Sequence, residues 1–281
     1  MIGENQKEKE NEREDPKVLS QSWDWHVRRK LAWNPDTPEE ILSDLARDKV
    51  QWVREAVAGN ARASLSTLTL LAEDSSGFVR AALALNSQAT GEMLEMLAAD
   101  EMTDYDSTLQ KNRYLVKEAV ARNPQINSET LAFLSRDYDE HVRASAASNL
   151  LLTHDLMSKM AKDVSWLVRN NIAGNPSTPE DLLIYLSSDR IMDVRATVAQ
   201  NPLTPGAALA ALAADKSWEV RETVAGNPNL EGSILEELAC HWSWMVREAA
   251  AKNPNTPAET IRKLAQDSDQ SVQKAARSRT G

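Results

Sequence analysis

The stretch Ser217–Leu230, "SWEVRETVAGNPNL", recurs along the chain: "QWVREAVAGNARA" begins at Gln51, "SWLVRNNIAGNPST" at Ser165 and "SWMVREAAAKNPNT" at Ser243. Each copy places Arg directly after a Val, and Asn seven residues after that Val. The valines are Val27, Val53, Val79, Val116, Val142, Val168, Val194, Val220, Val246 and Val272. They stand 26 residues apart, except for a gap of 37 between Val79 and Val116, which is 26 plus an insertion of 11. The next residue is Arg in eight copies, Lys117 in one and Gln273 in the last. Asn34, Asn60, Asn86, Asn123, Asn149, Asn175, Asn201, Asn227 and Asn253 keep their offset, and so do leucine pairs such as Leu42/Leu45, Leu68/Leu71, Leu183/Leu186 and Leu235/Leu238. A register held this long defines a tandem repeat of about nine full units and a partial terminal one.

Each unit reads as two helices, with no alternating β pattern. The first covers "SWEVRETVAGN" and ends at the Asn, a residue that tolerates a left-handed C-terminal conformation; a following Pro, as in Asn34-Pro35 and Asn227-Pro228, blocks continuation. The second begins at Thr-Pro in Thr37, Thr178, Thr204 and Thr256. There Thr is expected to cap, Pro to take the first helical position, and Glu40, Asp181 or Glu259 to complete a capping box. Stacked two-helix units form an all-α solenoid in which each repeat buries its apolar face on its neighbours.

The pattern VRxxVAxNPxTPxxxLxxLAxD resembles the leucine-rich repeat variant proteins of bacteria, from about Ser22 to the C-terminus. That resemblance implies alternating α- and 3-10 helices in a right-handed superhelix. Members with an N-terminal cysteine cluster bind an iron–sulfur centre; Cys240 is the only cysteine here, so that feature does not carry over and no cofactor is expected. The repeat is also distantly similar to HEAT repeats. The domain reading is a disordered charged tail over residues 1–20, then a solenoid over 21–281, with the insertion around 101–113.

Composition narrows the function classes. Of 281 residues 42% are hydrophobic, enough for a core. A net charge of −10, from 42 acidic and 32 basic residues, argues against broad attraction to nucleic acid or anionic membrane. A lone cysteine excludes an intrachain disulfide framework, and there is no apolar leader or spanning segment, so the expected location is the cytoplasm. His26, His141, His154 and His241 have no ligand-like spacing. Cys240 beside His241 reads as a packing cysteine, and no Gly-rich phosphate loop, HExxH or GxSxG pattern appears. The chain reads as a non-enzyme with no metal site.

The repeated arginine is the decisive residue. At about 100° per residue it falls inside the apolar arc, between the residue four after the valine and an invariant Ala five after it (Ala32, Ala58, Ala84, Ala121, Ala147, Ala173, Ala199, Ala225, Ala251). A buried guanidinium needs a partner, and an acid stands six residues before it in Asp48/Arg54, Asp74/Arg80, Asp137/Arg143, Asp163/Arg169, Asp189/Arg195 and Asp215/Arg221. These residues are read as a structural ladder; the rival reading is a basic stripe for phosphates. Breaking one pair should cost roughly 3–5 kcal/mol.

Binding residues are then sought on the opposite arc, two before, two after and six after the valine. Two before stand Trp25, Trp166, Trp218 and Trp244, with Tyr114 in the same column, and Glu222 and Glu248 lie two after. Indoles are favoured interface anchors, though the same column could instead staple the helix entry onto the preceding repeat. The insertion "EMTDYDSTLQKNR" breaks the array where binding loops often lie, and Asp104 and Asp106 are too few to argue for a cation site. The sequence thus points to a scaffold that binds a protein or peptide through its tryptophans. The alternative is a nucleic-acid-binding solenoid, similar to HEAT-like DNA glycosylases, against which the charge and the mixed arc both weigh.

Overall fold

The computed structural model describes residues 15–106 and 111–279. Among the described residues the chain is helical apart from one two-stranded hairpin, and it divides into two compact units, residues 1–151 and 152–281. In the first unit the first helices of successive repeats are Trp25–Trp33, Gln51–Ala58, Gly77–Ala84, Leu115–Arg122 and Glu140–Ala147. Between them lie the second helices Glu39–Leu45, Leu65–Ala72, Gly91–Ala98 and Ser128–Leu134. The second unit opens on the second helix His154–Met160. Its first helices are Trp166–Gly174, Met192–Gln200, Trp218–Gly226, Trp244–Lys252 and Gln270–Arg277, alternating with Glu180–Leu186, Gly206–Ala213, Gly232–Leu238 and Ala258–Leu264.

Within each unit the first helix of a repeat packs on the first helix of the next, which makes the architecture an α-solenoid. The valines from Val53 onward and the alanines five residues after them are fully buried, so the side of each helix that meets its neighbour is small and β-branched. Leucines of the second helices, Leu42, Leu68, Leu183 and Leu235 among them, close the core from the other side. Among the described residues no helix is long and apolar enough to cross a membrane.

Four local expectations are corrected. The second helices are α-helical, with bonds from Leu42 N–H to the Pro38 carbonyl (3.1 Å) and from Leu68 N–H to the Ser64 carbonyl (2.9 Å), where the family resemblance implied 3-10 turns. The asparagines end the first helix in extended, not left-handed, geometry: Asn34 has φ −69° and ψ 123°, Asn227 φ −73° and ψ 125°. Their side chains explain why Asn is needed. The Asn60 amide donates to the carbonyls of Ala32 (2.7 Å) and Asn34 (3.0 Å) one repeat back, while its oxygen accepts from Arg62 N–H (2.9 Å). Asn86, Asn149, Asn201, Asn227 and Asn253 repeat the two donations, so an asparagine ladder stitches each helix end to the previous one. The ladder passes the insertion unbroken, because Asn123 donates to Ala84 O at 2.6 Å.

Nor does Thr of the Thr-Pro pairs cap the second helix. Pro38, Pro179, Pro205 and Pro257 occupy the cap position without a side-chain bond. The buried Thr hydroxyl instead donates backwards, Thr37 to Leu31 O at 2.6 Å and Thr204 to Val198 O at 2.5 Å, tying the turn to the preceding helix. Where Ser, Thr or Asn replaces Pro, Ser64, Thr90, Asn127 and Thr153 accept from the backbone as ordinary caps, whereas Glu231 makes no such bond. Finally, helical structure is present before residue 21: Asp15 caps a short helix, Pro16–Ser20, that packs on the first repeat. Residues 1–14 of the expected tail lie outside the described residues.

Candidate functional site

The arginines were the first candidates, and they are sequestered. Arg28, Arg80, Arg169 and Arg195 are all buried. Their partner is not the acid six residues before, however, but the acid twenty residues after. Arg54 Nε and Nη2 donate to Asp74 at 2.6 and 2.9 Å, and Arg195 donates to Asp215 at 2.6 and 2.9 Å. Arg28–Asp48, Arg169–Asp189 and Arg247–Asp267 pair in the same way, while Arg80 holds Asp100 through Nε alone and its buried Nη2 has no partner. The preceding acid contributes its backbone instead: Arg54 Nη1 donates to Asp48 O, Arg169 to Asp163 O, Arg195 to Asp189 O, and Arg143 to Asp137 O. The reason is geometric. The acid's own carboxylate is already turned to the amide two residues on, as Asp74 is to Ser76 N–H and Asp215 to Ser217 N–H, which aims its free edge at the preceding repeat. Each such guanidinium therefore ties together two consecutive loops. The pairing holds Asp48, Asp74, Asp189 and Asp215 below the usual carboxylate range: burial opposes this, and the bonds from arginine and backbone outweigh it.

Two positions depart from the rule. Lys117 takes the arginine's place and is fully buried, bonded to Glu101 (2.8 Å) and Asp137 (3.1 Å). At the other, His241 takes the acid's place. Its Nδ1 lies 3.0 Å from Ser243 N–H and its Nε2 lies 3.0 Å from Arg221 Nη1, while the buried Arg221 Nε has no partner. Both ring nitrogens face donors, and a neutral imidazole can accept at only one. Burial, followed by the Arg221 charge, pushes the His241 pKa down. Cys240, expected to pack, is exposed, in a column that elsewhere holds Arg47, Lys162 and Gln266; its neighbour's imidazole is committed to the ladder.

The tryptophan column lies at the N-terminal end of the first helices. Trp166 and Trp244 are 43% and 41% exposed, and Trp218 is half-buried. In the first unit Trp25 stacks on His26 at 3.8 Å, while Tyr114 meets Tyr138 edge-on at 5.4 Å with Lys117 Nζ 5.3 Å above its ring. The column two after the valine is less open than expected. Glu118 is buried, bonded to Arg113 and Arg122, and Ala144 is buried. Glu222 and Glu248, by contrast, keep part of their surface, and burial followed by the charges of Glu248 and Glu219 pushes the Glu222 carboxyl up. The expected residues thus come together as two equivalent pairs, Trp218 with Glu222 and Trp244 with Glu248, each pair one turn apart on one helix face.

The insertion folds over the same end of the helices. Its strands β1, Asp104–Asp106, and β2, Lys111–Arg113, pair antiparallel, with Tyr105 opposite Asn112. Asp104 lies against Gly77, which stands in the tryptophan column: a Cβ there would collide with the Asp104 carboxylate. The glycine is therefore required by the hairpin, which replaces the aromatic at that repeat. The side chain of Asp106 lies outside the described residues, and among the described residues no group of three or more His, Cys, Asp or Glu could hold a metal. A further aromatic column had gone unread. Four residues before the valine, Trp23 (93% exposed), Tyr138, Val164 and Trp242 project from the loops whose carbonyls the arginines bind.

Buried ladders with a partly open aromatic face define a helical-repeat scaffold. The profile of one repeat family, described as "Leucine rich repeat variant", matches residues 192–217 and 244–269, two stretches of the array. No curated protein matches the chain. Among solved structures, one titled "A leucine-rich repeat variant with a novel repetitive protein structural motif" is similar at 23% identity and TM-score 0.48, covering 95% of this chain and 87% of that one. Another, of "computationally designed armadillo repeat proteins for modular peptide recognition", is similar at 18% identity and TM-score 0.19, covering 93% and 96%.

Proposed function

We propose that the chain is a non-enzymatic scaffold that binds another protein or a peptide along the first-helix face, with half-exposed tryptophans as anchors. The observation that carries this reading is the recurrence of Trp166, Trp218 and Trp244 at one position of the repeat, each still solvent-accessible in the stacked array. An indole needed only to close the helix entry would be covered by its neighbours, whereas a partly open one offers a large, rigid contact surface at low entropic cost. The sequestered guanidiniums weigh against a phosphate track, since most of their donors are already committed to carboxylates and carbonyls and the unpartnered Arg80 Nη2 and Arg221 Nε are buried. A single free cysteine fits a cytoplasmic setting.

The test compares affinity purification of the wild-type chain from its host with that of the Trp218→Ala/Trp244→Ala variant, its fold checked by circular dichroism. Loss of the same co-purifying proteins from the variant is expected. An unchanged set with the fold retained overturns the reading. Gel shifts over a salt series form the second arm: tight binding of DNA or RNA at 50 mM salt, steeply weakened by more salt, would replace a protein partner with a nucleic acid.

A further inference from the structure

Between the helices Trp166–Gly174 and Trp244–Lys252, the first-helix face of the second unit has a definite charge. Asp193, Glu219, Glu222 and Glu248 are accessible on it. Its one base, Lys252, is exposed and bonded at 2.7 Å to the half-buried Glu248 four residues before it. Other polar groups on it are neutral, Asn170, Thr197, Gln200 and Thr223 among them. Gly226 stands one turn beyond Glu222, and a Cβ built on it would have no atom within 4 Å, so backbone there is open to a ligand. The exposed bases Arg190 and Lys216 lie on the loops before the helices, two residues ahead of Met192 and Trp218, and the helical face itself, of indoles and carboxylates, is complementary to positive charge.

We propose that Trp218–Glu222 and Trp244–Glu248 form a docking strip for an extended basic segment of a partner protein, carrying Arg or Lys at every third residue. This rests on the scaffold reading above and names the partner's chemistry. Each repeat supplies the same two contacts to a cationic side chain: the π face of an indole for the charge and stem, and a carboxylate one turn along for the donors. The spacing follows from the stack. The helices carrying the two pairs pack side by side, and packed helices stand about 8–10 Å apart. A polyproline II segment rises about 3.1 Å per residue with three residues per turn, so its residues i and i+3 face the same way about 9 Å apart. One basic side chain therefore meets each repeat.

The strip also explains why Glu222 tolerates two like charges beside it. Glu219 and Glu248 crowd its carboxylate, and in the free chain only Lys252 offsets them. An incoming guanidinium relieves that crowding, so the local repulsion is traded for affinity.

The experiment titrates the full chain into fluorescein-labelled nine-residue peptides of Gly, Ser and Pro with Arg at positions 1, 4 and 7. The comparison peptides carry Glu or Leu at the same positions, or three consecutive arginines. Fluorescence polarisation is read at 50 and 200 mM salt. The Arg-every-third peptide should bind, more weakly at the higher salt, and the Glu peptide should not. Each indole contributes about two- to fivefold at an exposed site, so Trp218→Ala/Trp244→Ala should weaken binding by about tenfold. Glu222→Gln/Glu248→Gln should weaken it at least as much with the fold intact, and Lys252→Ala, which frees Glu248, should tighten it. Equal binding of Arg and Glu peptides, or no effect of the two Gln substitutions, overturns the basic partner. Trp-dependent binding of the Leu peptide alone overturns it too and leaves the scaffold reading standing. If no peptide binds and the host purification is also unchanged by the tryptophan substitutions, both fail.

Discussion

His241→Asp should stabilise the protein. At this rung the imidazole stands where Asp74, Asp189 and Asp215 stand elsewhere, and the cost is visible: Arg221 Nε is buried without an acceptor, and two donors converge on a ring with one lone pair to offer. Aspartate would restore two charge-assisted bonds to Arg221 while keeping an acceptor for Ser243 N–H, on the geometry of Arg195 with Asp215. A hydrogen bond to a charged group contributes about 1.5–3 kcal/mol net. With part of that offset by desolvating the carboxylate, a gain of about 2 kcal/mol is expected. Urea denaturation followed by tryptophan fluorescence and circular dichroism reads it as a shift in midpoint at constant slope. The pH dependence supplies a second, independent reading. The folded-state pKa of His241 is depressed, so its contribution is fully present above the ordinary value of about 6.5 and is lost as pH falls below it, where the unfolded chain takes up a proton that the folded one resists. Between pH 7 and 5 the wild type should therefore lose stability that the Asp variant keeps. A variant no more stable than wild type at pH 7, with the same pH slope, would refute the claim that this rung is underpaired.

Other expectations concern the frame and the face. A double-mutant cycle should find Asp215 coupled to Arg195 by at least about 1.5 kcal/mol and to Arg221 by less than about 0.5 kcal/mol; the reverse order would restore pairing to the acid six residues before the arginine. Asn201→Ala removes the donations to Ala173 O and Asn175 O from a buried site and should cost about 1–3 kcal/mol in urea denaturation; a neutral outcome would reduce the asparagine ladder to decoration. Gly77→Ala cannot coexist with Asp104 as placed, so faster hydrogen exchange is expected over Asp104–Asp106 with the rest of the array unchanged; unaltered exchange there would mean the hairpin is not seated on Gly77. Glu222→Gln should raise the urea midpoint at pH 7, because the folded carboxyl holds its proton to higher pH than the unfolded one and the ionised form is the costly one; the gain should vanish once pH falls below the ordinary carboxyl range, and a lowered midpoint would argue against the crowding.

The repeat, its two helices and the burial of the arginines were legible because periodicity and helical phase determine which side chains share a face. What was not legible was pairing across repeats. Arg54 has Asp48 six residues before it and Asp74 twenty after, and a 26-residue period offers both equally. Only the loop geometry, in which each acid first binds the amide two residues on, selects the later one. The same blindness hid the asparagine ladder. A helix-terminal Asn has a sufficient local explanation, and nothing in its neighbours reveals that its amide reaches back 28 residues to Ala32 O. Thr-Pro failed for the opposite reason: a strong local motif was read as a cap, although the Thr is buried and bonded to the preceding helix.

A tandem array carries its own control for separating frame from face. A position whose side chain is used by the next repeat must be nearly constant, since changing it breaks a contact on both sides; the Val, Arg, Ala and Asn columns behave so, and most of their members are buried. The column two before the valine reads Trp25, Gln51, Gly77, Tyr114, Glu140, Trp166, Met192, Trp218, Trp244 and Gln270, and the column two after it is as varied. Variation within one chain is tolerated where no neighbouring repeat makes a demand, and there a partner is free to set the residue. At Gly77 the demand comes from the hairpin, and at His241 an invariant rung has been altered and left underpaired. His241 stands three residues before Trp244, so this altered rung lies beside one of the anchors where recognition is proposed.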